Sequence, residues 1–164
     1  MIENRLHWDD HHMLLALVAS LRSPDPNTQV GAVIVSRDNQ ILSTGYNAFP
    51  RGIPQCFLNW NREGEPLNTK YPFVVHAEAN AILNNNTKLE GSVIFCTLFP
   101  CNECAKIIIQ AGIKTVIFLN NPYQDTWQIK ASMELLSLAG VKVQQHQWQP
   151  QISTHLSRLM ELIK

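Results

Sequence analysis

An α/β fold with a mixed sheet is predicted by three features of this sequence. From residue 92 onward, apolar runs alternate with helical segments; the first half carries a hairpin pattern; and further helical stretches stand at both ends. With 164 residues, 45% hydrophobic and 16% charged, the chain is read as one domain spanning 1–164. The opening residues Met1 to Asp10 mix both charges and lack the apolar core of a secretory signal. No apolar run approaches the roughly 18 residues of a membrane span. The expectation is a cytoplasmic protein with no membrane partner. Thirteen Lys and Arg against thirteen Asp and Glu leave a formal net charge of zero, so no global field favours nucleic acid, and a small-molecule partner is expected.

In chain order, residues 9–22 place Met13, Leu14, Leu17, Val18 and Leu21 at helical spacing, and Pro24 and Pro26 forbid continuation. Residues 30–36 and 40–46 are β-rich runs around Arg37-Asp38-Asn39, which reads as a hairpin turn. A stretch of about thirty residues follows, rich in Pro, Gly and Asn, with Arg51, Arg62 and Lys70 among Phe57, Trp60, Tyr71 and Phe73. A connection that long in a compact domain points to function. A helix is predicted over 76–84. Strand 93–98, helix 101–111, strand 115–119, helix 126–139 and strand 141–145 then alternate, with Gly112 and Gly140 as left-handed caps. Parallel pairing through helical crossovers follows, and the hairpin adds antiparallel strands. Residues 152–164 read as a last helix through Ile152, Leu156, Leu159, Met160 and Ile163.

The chemistry concentrates at two helix starts, His76-Ala-Glu78 and Pro100-Cys-Asn-Glu-Cys104, each expected right after a buried strand. Both are expected at the carboxyl edge of the sheet, where open α/β sheets place their ligand sites. Cys101 and Cys104 are one turn apart and point the same way, at a helix end that favours thiolates. His76 and Glu78 are about 200° apart around a helix, so a metal must sit off the helix end, with His76 ligating and Glu78 reaching over. His76, Cys101 and Cys104 then make a three-ligand site with an open position, the pattern of a catalytic zinc. H-x-E followed by P-C-x-x-C is the signature of zinc deaminases, in which a glutamate that does not ligate moves protons. A structural zinc with Cys96 or another histidine as fourth ligand is the alternative. Without a secretory signal, disulfides are not expected. Cys96 reads as a core residue, Cys56 as incidental, and His7, His11, His12, His146 and His155 as surface residues.

Four segments carry a wider resemblance. They are Arg22-Ser-Pro-Asp-Pro-Asn-Thr-Gln-Val-Gly-Ala-Val-Ile-Val35, Thr44-Gly-Tyr-Asn-Ala-Phe-Pro-Arg-Gly52, Lys70-Tyr-Pro-Phe-Val-Val-His-Ala-Glu-Ala-Asn-Ala-Ile82 and residues 98–114 around Pro100-Cys-Asn-Glu-Cys104. Together they resemble the deoxycytidylate (dCMP) deaminases of the cytidine deaminase superfamily. The resemblance implies a three-layer α/β/α sandwich around a five-stranded mixed sheet. It also implies zinc-dependent hydrolysis of dCMP to dUMP and ammonia, feeding thymidylate synthesis. His76, Cys101 and Cys104 match the zinc ligands, Glu78 the proton shuttle, and Asn47 the asparagine that bonds the sugar. Tyr123, after the fourth strand, stands where relatives bring an aromatic ring beside the base. The 5′-phosphate needs a cation or amide donors; Arg22, Arg51, Lys70 and the run 84–87 are the candidates.

The family further implies a homo-oligomer, with hexamers common, and effectors: dCTP as activator and dTTP as inhibitor. Ala48 stands where regulated members have glycine, and its Cβ weighs against that control. Another deaminase acting on CMP, dCTP or deoxycytidine, and a non-catalytic zinc-stabilised binding module, are the alternative readings.

Overall fold

The computed structural model describes residues 5–54, 56 and 58–164; Phe57, counted above among the loop aromatics, lies outside them. The elements are α1 (Trp8–Ser20), β1 (Gly31–Val35), β2 (Ile41–Tyr46), α2 (Ala77–Leu83), β3 (Val93–Leu98), α3 (Asn102–Gln110), β4 (Thr115–Asn120), α4 (Trp127–Leu138), β5 (Lys142–Gln145) and α5 (Ile152–Leu162). The five strands form one sheet in the order β2-β1-β3-β4-β5. β1 pairs antiparallel with both β2 and β3, whereas β3–β4 and β4–β5 are parallel. This is the predicted mixed sheet, and the α3 and α4 crossovers supply its parallel half.

Strict alternation along the central strands feeds two cores. Ala32, Ile34, Ile94, Cys96, Val116 and Phe118 pack with α2, α3 and α4 on one face. Val33, Val35, Phe95 and Ile117 pack against Met13 and Ala16 of α1 on the other. Such near-continuous apolar strands are what a sheet buried on both faces requires. The hairpin turns through Asn39 at φ 62°, a conformation asparagine tolerates. Gly112 and Gly140 close α3 and α4 at φ 78° and 65°.

Two glycines permit the helices to sit this close. A Cβ on Gly31 would lie 2.0 Å from the Ala16 carbonyl oxygen, and one on Gly45 would lie 2.3 Å from both Ala77 O and Ala81 N. The seat of α2 on β2 is then stitched by hydrogen bonds from Asn80 Nδ2 to Tyr46 O (2.8 Å), Asn84 Nδ2 to Thr44 O (2.9 Å) and Ser43 Oγ to Ala81 O (2.7 Å).

Several expectations are corrected. The segment before α2 is no strand, because Val75 makes only an isolated bridge with Ala48. His12 and His146 are buried, not at the surface. His12 packs between the rings of Trp8 and Phe95 and bonds Asn39 through Nε2 at 3.3 Å. His146 lies with Nε2 3.1 Å from Asp10 Oδ1. Burial lowers the pKa of both rings and so favours their neutral forms. The last helix forms as predicted, yet none of its residues is buried. No helix among the described residues is long and apolar enough to cross a membrane.

Because the Cβ of Gly45→Ala meets backbone rather than a movable side chain, we expect that variant to lose about 1–3 kcal/mol. Thermal unfolding of the metal-free protein reads this as a fall in Tm of several degrees; an unchanged Tm would show that α2 tolerates displacement.

Candidate metal centre

α2 and α3 start at the same end of the sheet, and the residue before each carries a potential metal donor. His76 is the N-cap of α2 (φ −70°, ψ 158°) and Cys101 the N-cap of α3 (φ −72°, ψ 175°). Neither side chain caps its own helix, so both are free for another partner. Their extended backbone holds them ahead of the helices, which is the off-end position that the His76/Glu78 spacing demanded. Cys104 follows one turn into α3. The turn before Cys101 is fixed from two sides: Phe99 N donates to Asn120 O (2.8 Å) and Ser132 Oγ to Pro100 O (2.8 Å).

The donor atoms of His76, Cys101 and Cys104 lie within 4.8 Å of one another, and they form the one such three-residue group among the described residues. His76 Nδ1 stands 3.4 Å from Cys101 Sγ and 3.3 Å from Cys104 Sγ. Zinc bonds of about 2.0–2.3 Å arranged tetrahedrally give donor separations of about 3.3–3.8 Å, so the set fits a zinc ion in both chemistry and spacing. Cys96 does not join the group. It is wholly buried, and desolvation drives its thiol well above the ordinary range. No fourth side chain closes the site among the described residues, which removes the basis for a four-ligand structural zinc.

Without metal, the donors share protons. The hydrogen bond from Cys104, aided by His76, lowers the Cys101 thiol to about 4, and the bond with Cys101 raises His76 to about 9. The bond with Cys101 and burial together push Cys104 well above its ordinary value. Glu78 is buried, and desolvation holds its carboxyl above the usual range although His76 pulls the other way. A carboxyl moved toward neutrality is what proton transfer in both directions requires.

These residues open into a cavity of about 860 Å³ that Asn47, Arg62, Tyr71, Tyr123 and Trp127 also line. Tyr123 sits in the loop after β4, 41% exposed. Asn47 is buried, with its amide engaged by the chain. Oδ1 accepts from Val30 N (2.8 Å), and Nδ2 donates to Thr28 O (2.9 Å) and Asp25 Oδ2 (3.3 Å).

Asp25 was not predicted as a site residue, yet it organises this wall. Oδ1 accepts from Asn27 N (2.8 Å) and Thr28 N (3.1 Å), while Oδ2 accepts from Asn47 and Lys70. Lys70 is therefore spent on a buried ion pair. No local signal links residues 45 apart in sequence, so the pairing is invisible before folding. Arg22 and Arg51 do not line this cavity. They line a second one of about 500 Å³ with Ala48, Asn80 and Asn84, where the Arg51 guanidinium donates to Asn84 Oδ1.

Comparison with known proteins agrees with this geometry. Residues 6–120 match the model of the cytidine and deoxycytidylate deaminase zinc-binding region. The chain belongs to the cytidine and deoxycytidylate deaminase family. Human deoxycytidylate deaminase is 48% identical over 85% of this chain and 79% of its own length. A probable deoxycytidylate deaminase of Drosophila melanogaster is 47% identical over 86% of this chain and 73% of its own. Among solved structures, the dCMP deaminase of cyanophage S-TIM5 with dCMP and dUMP superposes at a TM-score of 0.67 with 33% identity, covering 84% of this chain and 95% of that one. The family's zinc-binding region thus contains all three grouped donors.

The Asp25 carboxyl titrates below its ordinary value of 3.8: burial opposes ionisation, but the Lys70 bond, two backbone N–H groups and the Lys70 charge outweigh it. A depressed folded-state pKa stabilises the fold above the unfolded value and loses that contribution as pH falls through the folded one. Breaking a buried pair costs about 3–5 kcal/mol. Denaturant unfolding of Asp25→Asn is expected to show that deficit in full above about pH 5. The gap to wild type should shrink as the pH drops below 3.8; a gap independent of pH would show that the ion pair is not its source.

Proposed function

We infer that this protein is a zinc-dependent deaminase that hydrolyses dCMP to dUMP and ammonia. The observation that carries the reading is an open His76/Cys101/Cys104 donor set beside a buried carboxyl, Glu78, in a cavity of nucleotide size. The human and Drosophila melanogaster relatives named for deoxycytidylate deamination, and the cyanophage structure holding dCMP and dUMP, support the substrate.

Hydrolysis forms a C–O bond at the amidine carbon of cytosine and breaks its bond to the exocyclic amine. His76, Cys101 and Cys104 would hold the zinc, which when bound supplies a water of lowered pKa and a Lewis acid at that carbon. Glu78 takes a proton from the attacking water and delivers it to the ring nitrogen. A second proton transferred through Glu78 lets the amine leave as ammonia. Burial of Glu78 keeps its proton affinity high enough for both directions. Asn47, which lines the cavity with its amide held by Val30, Thr28 and Asp25, is the sugar contact. Tyr123 stands at the cavity wall as the ring beside the base.

Glu78→Gln is expected to retain about one zinc per chain while turnover falls by about 10²–10⁴-fold, the usual contribution of a general acid–base. Metal analysis alongside ammonia release checks both halves. Near-wild-type ammonia release would remove Glu78 from the mechanism.

The second cavity is our candidate for effector binding. Arg22 and Arg51 offer charge to a triphosphate, while Ala48 occupies its wall and is held by reciprocal backbone bonds with Val75 (3.1 and 2.8 Å). Its Cβ stands where a nucleotide would approach the backbone, so dCTP activation and dTTP inhibition are expected to be weak in this chain. Ala48→Gly should enlarge the response of dCMP turnover to both nucleotides; equal responses in variant and wild type would clear Ala48. Homo-oligomer formation is supported by the apolar stripe of α5, where Leu159, Met160 and Leu162 are exposed.

A further inference from the structure

α4 carries one polar side chain in its buried stripe. Ile129, Ser132 and Leu136 are the residues it turns into the core, and Ser132 is wholly enclosed. An apolar residue would fill that position with no polar atom to satisfy, whereas a buried hydroxyl needs a partner. A serine within a helix ordinarily finds one in its own helix, at a carbonyl three or four residues back. Ser132 instead donates across to another segment, from Oγ to the Pro100 carbonyl at 2.8 Å.

Pro100 is buried, stands immediately before Cys101, and has no N–H of its own. Its carbonyl is therefore the one backbone group through which it can be held, and Ser132 is the only partner of that carbonyl among the described residues. The carbonyl belongs to the planar peptide that joins Pro100 to Cys101. Turning that plane changes φ of Cys101, and with it the direction of Cα–Cβ and the place of Sγ. With the peptide held, Cys101 keeps φ −72° and ψ 175°, and its sulfur stands 3.4 Å from His76 Nδ1. Cys104 needs no such support, because it lies inside α3 and the helix fixes it. Cys101 stands ahead of the first turn, where its direction depends on the peptide before it. The same α4 reaches the large cavity: Trp127, Gln128 and Ile129 line it in the turn before Ser132. One rigid helix thus carries part of the cavity wall and holds a metal donor.

Resting on the metal-dependent reaction given above, we propose that Ser132 is a positioning residue: through the Pro100 carbonyl it sets the direction of Cys101 Sγ, and so the geometry and affinity of the metal site. Ser132 neither lines the cavity nor belongs to the donor group, so its effect passes through the backbone.

The test compares wild type, Ser132→Ala, Ser132→Thr and Leu136→Val. Leu136→Val trims the same buried stripe and leaves the hydroxyl in place, so it reports on helix packing alone. Two properties are read on each protein. One is the zinc retained by the loaded enzyme against rising concentrations of a competing chelator. The other is the visible absorption of the cobalt-substituted protein, whose bands follow the arrangement of the ligands. Removing a group that orients a metal donor typically costs about 10–100-fold in affinity. Ser132→Ala is expected to bind zinc at least about 10-fold more weakly and to show altered cobalt bands, while Ser132→Thr and Leu136→Val stay with wild type. Wild-type zinc retention in Ser132→Ala, or a wild-type cobalt spectrum, overturns the assignment. An equal loss in Leu136→Val or in Ser132→Thr overturns it too, since the hydroxyl is then not the cause. The reaction is judged separately, by ammonia release from dCMP. A wild type that binds zinc but leaves dCMP intact overturns the reaction, and the chelator titration still decides Ser132. A wild type that binds neither ion overturns both.

Discussion

The seating of α2 on β2 is the constraint on which the rest depends. Gly45 has no side chain because the backbone of Ala77 and Ala81 occupies the space where a Cβ would be. Seated there, α2 holds His76 at its start and Glu78 one step inside, while the parallel β3–β4 pair and Ser132 hold the start of α3 opposite. Three donor atoms from two helices then converge within a few ångströms. Neither helix alone could make this site, since α2 contributes one donor and α3 two.

Around that centre the protein handles charge by burial and pairing. Asp25, satisfied at both oxygens by Asn27, Thr28, Asn47 and Lys70, welds three distant segments into one wall. A buried ion pair adds little net stability, yet leaving one partner alone is costly, so the arrangement is all-or-none. Its consequence for function is subtractive. The one lysine in the wall is neutralised, so its charge is not available to a ligand in the cavity.

The elements were legible because their signals are local. Continuous apolar runs in β1, β3 and β4, Gly112 and Gly140 behind α3 and α4, and Pro24 behind α1 each act through a few neighbouring residues. The metal donors were legible for a related reason: Cys101 and Cys104 share a helix face by spacing alone, and His76 with Glu78 gains its meaning from standing ahead of Pro100-Cys-x-x-Cys104 in the zinc-deaminase order. The strand expected before α2 failed because Val74 and Val75 look like a strand but have a single bridge partner, Ala48. His12 and His146 misled because a polar ring is ordinarily exposed, and only the packing of Trp8, Phe95 and Asp10 around them excludes water.

By itself, then, the sequence determined the α/β class, the order of elements, the donor set His76, Cys101 and Cys104, and the family resemblance. All of these are properties of residue type at short spacing. Only the tertiary structure decided which cations line the cavity at the metal-donor set. Arg22 and Arg51 share a second cavity, Lys70 is bound to Asp25, and Arg62 lines the larger cavity with its Nε against the Tyr71 hydroxyl. The physical reason is range: Coulomb pairing and cavity walls join residues tens of positions apart, and chain spacing encodes no such distance.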